Sequence, residues 1–498
     1  MDQFHQIIGK VGETQVTAYT VSTASGLSFT ATSYGATILD VSFPDKDNKI
    51  ENITLNYPSL YELIENRGPY YGCIAGRVAN RIKDGTFHLD GIDYNLAVNN
   101  GPNSLHGGTV GFDQKIWDAR FFKTDTSAGV EFIYISEDGE ENYPGKLEVT
   151  IRYELTSKNE MIIIYEAVTD KATPVNLTNH TYWNLSGGCK SPIYNHTLCL
   201  SCCEYLPTTS TQIPTGELRP VEQDPLFDFT TARPLRDAVL GIGADAARRG
   251  EGRAGLDHCF VVDGALDKAS SSVTSTSPSA DSAVGSISSL PPPAAAASQV
   301  YRYNAREQKA LNTRADSSAG GPKSLSLLSQ LANSSSNNSG VSSTSSGSSY
   351  LRHVATLTDP ESGRRLDLHA TQPGVQVYSA NWLAKPTESA ETAIPGIIDA
   401  TDTSASAGDD ENRSISKSGA NADTIPMNAG GAGAGAGTGD LKACPDFPYV
   451  MHNGLCLETQ HFPDAVNQSP SNPLFPSVVL RPDELYFHQA VFTFSCIR

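Results

Sequence analysis

The chain has 498 residues, 39% of them hydrophobic and 18% charged, with a formal net charge of −19. So acidic a chain repels polyphosphates and anionic lipid, which argues against a nucleic-acid partner and against a membrane partner. No run approaches the ~18 apolar residues of a membrane span. Residues 1–6 have neither the basic nor the apolar part of a secretory leader. Nine cysteines, an odd number, fit free thiols in a reducing compartment. Glycans on the Asn-x-Thr triplets at Asn176 and Asn179 would block the candidate site described below. Both points make the cytoplasm the expected location.

Residues 14–21, 27–32 and 36–44 alternate with period two between Gly, Ser, Pro and Asp breaks and read as strands. Residues 44–49 form a hairpin-type turn before a further strand at 50–55, and 60–66 is a helical turn. Residues 72–81 are small and apolar, with Arg77 and Arg81 four apart and Asn80 between. Guanidinium groups there need acceptors, which structural ion pairs or ligand hydroxyls could each supply. Residues 85–96 read as a hairpin turning at Asp90-Gly91. Residues 99–108 carry His106 beside two glycines, which would let backbone approach a ligand closely. A structural histidine is the alternative there. Strand pairs follow in 117–141 and across 142–155 and 161–168.

Residues 173–188 stand out, with three Asn, two aromatics and His180 between Pro174 and Gly187-Gly188. Read as a strand, one side carries Val175, Leu177, Asn179, Thr181, Trp183 and Leu185. The other carries Asn176, Thr178, His180, Tyr182 and Asn184. That second side suits the wall of a site for a small polyhydroxylated ligand. A loop whose Asn and Thr satisfy their own backbone is the plainer reading. Further strands are expected at 199–214 and at 255–262, the latter with Asp257 at its mouth. More are expected at 350–360, at 365–381 around Gln376, and in the pieces of 454–496. Two Ser/Ala/Gly-rich blocks, at about 264–349 and 385–439, cannot bury enough apolar surface to offset their ordering entropy and read as disordered insertions. About twenty short strands and almost no long helix define the expectation: one all-β domain over 1–498, a large antiparallel β-sandwich interrupted by those two blocks.

Glu458 is the one carboxylate in an apolar run, Leu-Cys-Leu-Glu-Thr-Gln. Apolar neighbours would raise its pKa and make it a base near neutrality, whereas a solvent-facing strand glutamate is equally ordinary. Its company is His106, His180, Asp257, Arg81 and Gln376, each in a polar, Gly- or Asn-rich context. One Glu and one His, without metal-ligand spacing or a nucleophile elbow, suggest plain proton transfer at a small polar substrate.

The chain resembles the aldose 1-epimerases, or galactose mutarotases. The resemblance rests on Gly76-Arg-Val-Ala-Asn-Arg-Ile, Asn99-Asn-Gly-Pro-Asn-Ser-Leu-His-Gly-Gly, Gly111-Phe-Asp, Pro174-Val-Asn-Leu-Thr-Asn-His-Thr-Tyr-Trp-Asn-Leu, Ile213-Pro-Thr-Gly-Glu, Gln372-Pro-Gly-Val-Gln-Val-Tyr and Cys456-Leu-Glu-Thr-Gln-His-Phe-Pro-Asp-Ala-Val-Asn-Gln, in family order. It implies the galactose mutarotase-like supersandwich, with no metal and no cofactor. It implies that Glu458 takes the proton from the anomeric hydroxyl, that His180 protonates the ring oxygen, and that His106 assists. Asn80, Arg81, Asp257 and Gln376 would hold sugar hydroxyls. The expected partner is a small free aldose such as galactose or glucose, and the chain is expected as a monomer or weak dimer. A hexose-phosphate epimerase would want more cationic groups at the pocket than Arg77 and Arg81. A sugar-binding protein on the same fold would not require an acid–base pair. The two blocks read as surface-loop expansions dispensable for turnover.

Overall fold

The computed structural model describes residues 1–189, 191–248, 255–266, 351–383 and 449–497. The expected disorder of 264–349 and 385–439 therefore falls, apart from 264–266, outside the described residues.

The period-two segments form antiparallel strands in three main sheets. Asp2–Val11, Thr14–Ser22, Ser28–Thr32, Thr37–Pro44 and Ile50–Asn52 make a five-stranded meander. A nine-stranded sheet runs Asp118–Lys123, Ser127–Ser136, Leu147–Thr156, Glu160–Thr169, Tyr486–Cys496, Arg364–Ala370, Arg352–Thr358, Thr197–Leu200, Arg233–Pro234. A six-stranded sheet runs Tyr182–Trp183, Leu455–Gln460, Gly374–Tyr378, Asp257–Val261, Glu204–Tyr205, Arg219–Pro220. All three put their apolar faces into one core. Phe29 and Val41 come from the first, Phe132, Tyr153 and Ile163 from the second, and Val375, Val377, Leu455 and Leu457 from the third. Each such side chain contributes about 1.5–3 kcal/mol by leaving water. Tyr153 also ties two sheets together, its hydroxyl donating to Ala36 O at 2.6 Å.

Helix is scarce but not absent. Leu60–Glu65 forms where expected, capped by the Ser59 hydroxyl, which accepts from Glu62 N–H. Leu235–Arg248 was not anticipated. Its signal is nevertheless plain: Leu235, Ala238, Val239 and Ile242 recur at helical spacing and are buried. The edge strand Asp2–Val11 also escaped the sequence reading. It carries no buried face, and Phe4 and Ile7 lie open to solvent.

Residues 173–188 are not one strand. They form three two-residue pieces, Thr173–Pro174, Thr178–Asn179 and Tyr182–Trp183, which pair respectively with Val479–Leu480, Ile74–Ala75 and Leu455–Gln460. Val175, Leu177, Trp183 and Leu185 reach the core as the alternation requires. The amides and hydroxyls of the other side mostly bind backbone. His461 N–H donates to Asn176 Oδ1, Thr178 Oγ1 to Thr459 O, and Asn184 Nδ2 to Asn453 O. So the expected polar wall is largely structural, and from it only His180 and Tyr182 face the site.

Arg77 is buried and structural, held by carbonyl and hydroxyl oxygens of the chain itself. It donates to Pro144 O at 2.8 Å, Gly145 O at 2.9 Å, Thr173 Oγ1 at 3.1 Å and Ser136 Oγ at 2.6 Å. Burial pushes its pKa down to about 10. The eight cysteines among the described residues are free thiols. Cys199 and Cys202 stand at Cys-x-x-Cys spacing, but Cys202 packs in the core while the Cys199 thiol donates to Thr230 O.

Candidate functional site

The site grows from one face of the six-stranded sheet. Pairing sets Cys259, Gln376 and Glu458 in one row across three strands, and Asp257, Tyr378, Cys456 and Tyr182 in the next. Side chains alternate, so both rows share a face, while Val375, Val377, Leu455 and Leu457 point to the core behind. Glu458 thus stands on a strand paired on both sides.

His180 lies between two of these pieces, its backbone N–H donating to Cys73 O at 2.9 Å. Its Nε2 is 3.6 Å from Glu458 Oε1, and its Nδ1 is 3.6 Å from Cys456 Sγ. Both side chains are buried. Desolvation drives the Glu458 pKa well up; the Asp257 charge adds to this and the Arg81 charge opposes it. Desolvation drives His180 down to about 4, opposed by a hydrogen bond at its backbone and by the Asp257 charge. Burial thus favours the neutral form of each group, carboxyl and imidazole. Glu458 Oε2 is buried and has no hydrogen-bond partner. A carboxylate oxygen in that condition calls for a donor from a ligand.

His106 arrives by a different route. Ser104–Leu105 pairs with Arg81–Ile82, which brings the following loop against residues 76–81. Gly107 is required there: at φ +93 it presses on Gly76 O, and a Cβ would collide with that carbonyl. The close approach is thus of backbone to backbone, not to ligand. Asn80 N–H donates to His106 Nδ1 at 3.2 Å. Burial, with the charges of His180 and Arg81, holds the ring neutral. Nδ1 accepts, so Nε2 carries the hydrogen and His106 is a donor. The His106 and His180 rings lie 5.3 Å apart. Asn80 acts through its backbone, and its side-chain oxygen accepts from Arg81 N–H. Arg81 Nε donates to Asn100 Oδ1 at 3.0 Å, leaving the outer guanidinium nitrogens as donors.

Asp257 is clamped by two amides. Gln376 Nε2 donates to its Oδ1 at 2.7 Å and Gln212 Nε2 to its Oδ2. With its NH2 so engaged, Gln376 leaves a buried, unpartnered Oε1. It is an acceptor waiting for a hydroxyl.

All seven sequence candidates are therefore placed around one site: Glu458, His180, His106, Asn80, Arg81, Asp257 and Gln376. Three neighbours were missed. Tyr70, at φ +60, sets its ring 4.7 Å from His106 and 5.9 Å from His180. Gln212, also at positive φ, carried no signal. Cys456 had one, standing two residues before Glu458 and so on the same strand face.

An antiparallel β-sandwich with a buried carboxyl–imidazole pair, ringed by amides and one arginine, is the class the fold and site define: a protein built for proton transfer on a small hydroxylated ligand. The aldose 1-epimerase family profile matches residues 17–284 and 329–493. Galactose mutarotase of Homo sapiens is 31% identical over 467 residues, covering 93% of this chain and 90% of that protein. Aldose 1-epimerase of Escherichia coli (strain K12) is 34% identical over 243 residues, or 49% of this chain and 67% of that one. The crystal structure of galactose 1-epimerase from Lactobacillus acidophilus NCFM shares the fold, with TM-score 0.61 at 18% identity over 100% of this chain and 99% of that one. An aldose epimerase homologue from C. elegans does likewise, at 0.59 and 21% over 96% and 98%. The chain belongs to the aldose 1-epimerase family.

Proposed function

We infer that the chain is an isomerase that interconverts the α and β anomers of free aldohexoses such as galactose and glucose. The observation that carries the residue assignment is the buried Glu458 with one unpartnered oxygen, 3.6 Å from His180. Glu458 as carboxylate takes the proton of the anomeric hydroxyl. The electron pair of that O–H becomes the carbonyl π bond, the bond from C1 to the ring oxygen breaks, and the ring oxygen takes a proton from His180. Rotation about C1–C2 presents the other face, and the same steps in reverse close the ring.

The proton accounting suits the site. Opening starts from carboxylate and imidazolium and ends on neutral carboxyl and neutral imidazole, the state that burial favours for both groups. Desolvation thus pulls the reaction toward the open form, where uncatalysed mutarotation pays most. The Arg81 charge supports the starting carboxylate and the Asp257 charge the starting imidazolium. His106 donates from Nε2 near the anomeric centre. Gln376 Oε1 accepts a sugar hydroxyl, and Asp257 and Arg81 hold others, while Asn80 serves by fixing the His106 ring.

In this reading the chain works in the cytoplasm as a monomer or weak dimer, on no nucleic acid and no membrane. Among the described residues no helix is long and apolar enough to cross a bilayer. The family domain spans the chain. A hexose-phosphate substrate is disfavoured because Arg77, one of two candidate phosphate ligands, is already held by backbone oxygens. The test is polarimetry on freshly dissolved α-D-galactose and α-D-glucose. Equilibration well above the spontaneous and buffer-catalysed rate is expected. Saturable sugar binding without acceleration would make the chain a binding protein instead.

A further inference from the structure

We propose that His180, Cys456 and Glu458 together bind a zinc-class divalent cation, and that its binding shuts off the acid–base pair. One donor atom from each residue lies within 4.8 Å of the others, and all three residues are buried. The two resolved separations, Cys456 Sγ to His180 Nδ1 and Glu458 Oε1 to His180 Nε2, are both 3.6 Å. A tetrahedral zinc with ~2.3 Å to sulfur and ~2.0 Å to nitrogen sets those ligands roughly 3.5 Å apart. The two separations run to opposite ring nitrogens, of which one ion takes only one, so the remaining ligand closes on it by a change of side-chain rotamer within the 4.8 Å cluster.

The donor set selects the ion. A thiolate, an imidazole and a carboxylate suit Zn2+, Co2+ or Cd2+, whereas Mg2+ and Ca2+ want an all-oxygen shell. Three protein ligands leave a fourth position for water, as in open zinc sites. The buried, unpartnered Glu458 Oε2 independently marks this spot as one that receives a ligand. Binding sends to solvent the Cys456 thiol proton and the proton of the Glu458 carboxyl where it is protonated, and engages one imidazole lone pair and one carboxylate oxygen. The imidazole can then no longer deliver a proton, nor the carboxylate receive one. Exclusion from turnover rests on the epimerase reading, but cation binding does not and is measured without sugar.

The experiment titrates the full chain with Co2+ and follows absorption. One ion per chain, with a thiolate-to-cobalt charge-transfer band, is expected. Cys456→Ser should abolish the band and weaken binding by at least about tenfold. Glu458→Gln, which preserves shape, should weaken binding comparably while keeping the band, and so remains informative if Cys456→Ser fails to fold. Cys203→Ser, at an exposed thiol, should change neither. A wild-type chain without the band would overturn the proposal, as would a band that survives Cys456→Ser or disappears with Cys203→Ser. Zn2+ at the Co2+ saturation point should abolish mutarotation, and Mg2+ should not; full activity with cobalt bound at Cys456 would overturn the claim of shut-off.

Discussion

Glu458→Gln separates function from stability at a single buried atom. Glutamine keeps the size and planarity of the side chain opposite Gln376, but it cannot take the anomeric proton. Loss of a positioned base should lower kcat by about 10² or more, equivalent to about 2.7 kcal/mol of transition-state stabilisation. The stability effect should run the other way. Burial raises the Glu458 pKa above its unfolded value, so the folded chain holds this proton more tightly. The contribution to stability is complete below the unfolded carboxyl value of about 4.3 and is lost as pH rises through the folded value. Within that window each pH unit costs the native chain about 1.4 kcal/mol. Glutamine escapes this loss, so the variant should be increasingly more stable than the parent as pH rises from 5 to 8. Polarimetry gives the first quantity and urea unfolding at the two pH values the second. Mutarotation within a few-fold of the parent would refute the assignment of the base. A stability difference independent of pH would refute the claim that burial raises its pKa.

His180→Gln should lower kcat by a similar factor, and the double variant with Glu458→Gln should be scarcely slower than either alone, because the two act in one event. The kcat/KM profile of the parent should be bell-shaped in pH, and Glu458→Gln should remove its acidic limb, where protonation silences the base. Asp257→Asn should raise KM by about ten- to a hundred-fold with little change in kcat, as expected for a charge-assisted hydrogen bond of roughly 1.5–3 kcal/mol, and with an unchanged circular dichroism spectrum. Arg77→Lys should lose the fork that holds six backbone and hydroxyl oxygens and cost about 2–4 kcal/mol in urea unfolding, while leaving KM alone.

Period-two alternation was enough to find most strands of the nine-stranded sheet, but it missed Arg233–Pro234, an edge strand of two residues too short to show a period. It failed at residues 173–188, where hydrophobic spacing survives although the chain changes partners twice: spacing reports which side is buried, not which strand lies alongside. The candidate site was legible where polar residues interrupt apolar runs, as Glu458 and Gln376 do. It was illegible where function comes from conformation. Tyr70 and Gln212 owe their positions to backbone at positive φ, which nothing in an ordinary tyrosine or glutamine announces. Arg77 and Arg81 look alike in the sequence. Only tertiary packing makes one a clamp for carbonyls and leaves the other beside the carboxyl.

Leu455–Gln460 and Tyr486–Cys496 lie in the interior of their sheets, although they are among the last strands in the chain. On a ribosome, Glu160–Thr169 and Arg364–Ala370 emerge before the strand that joins them, and so do Tyr182–Trp183 and Gly374–Tyr378. Until residues 455–496 are synthesised, both sheets present open hydrogen-bonding edges in their middles, the kind of surface that recruits foreign strands. Shortening the chain by some fifty residues would therefore not trim the enzyme: it would split both sheets and remove Glu458, so such products should be cleared by quality control rather than persist as partly active protein.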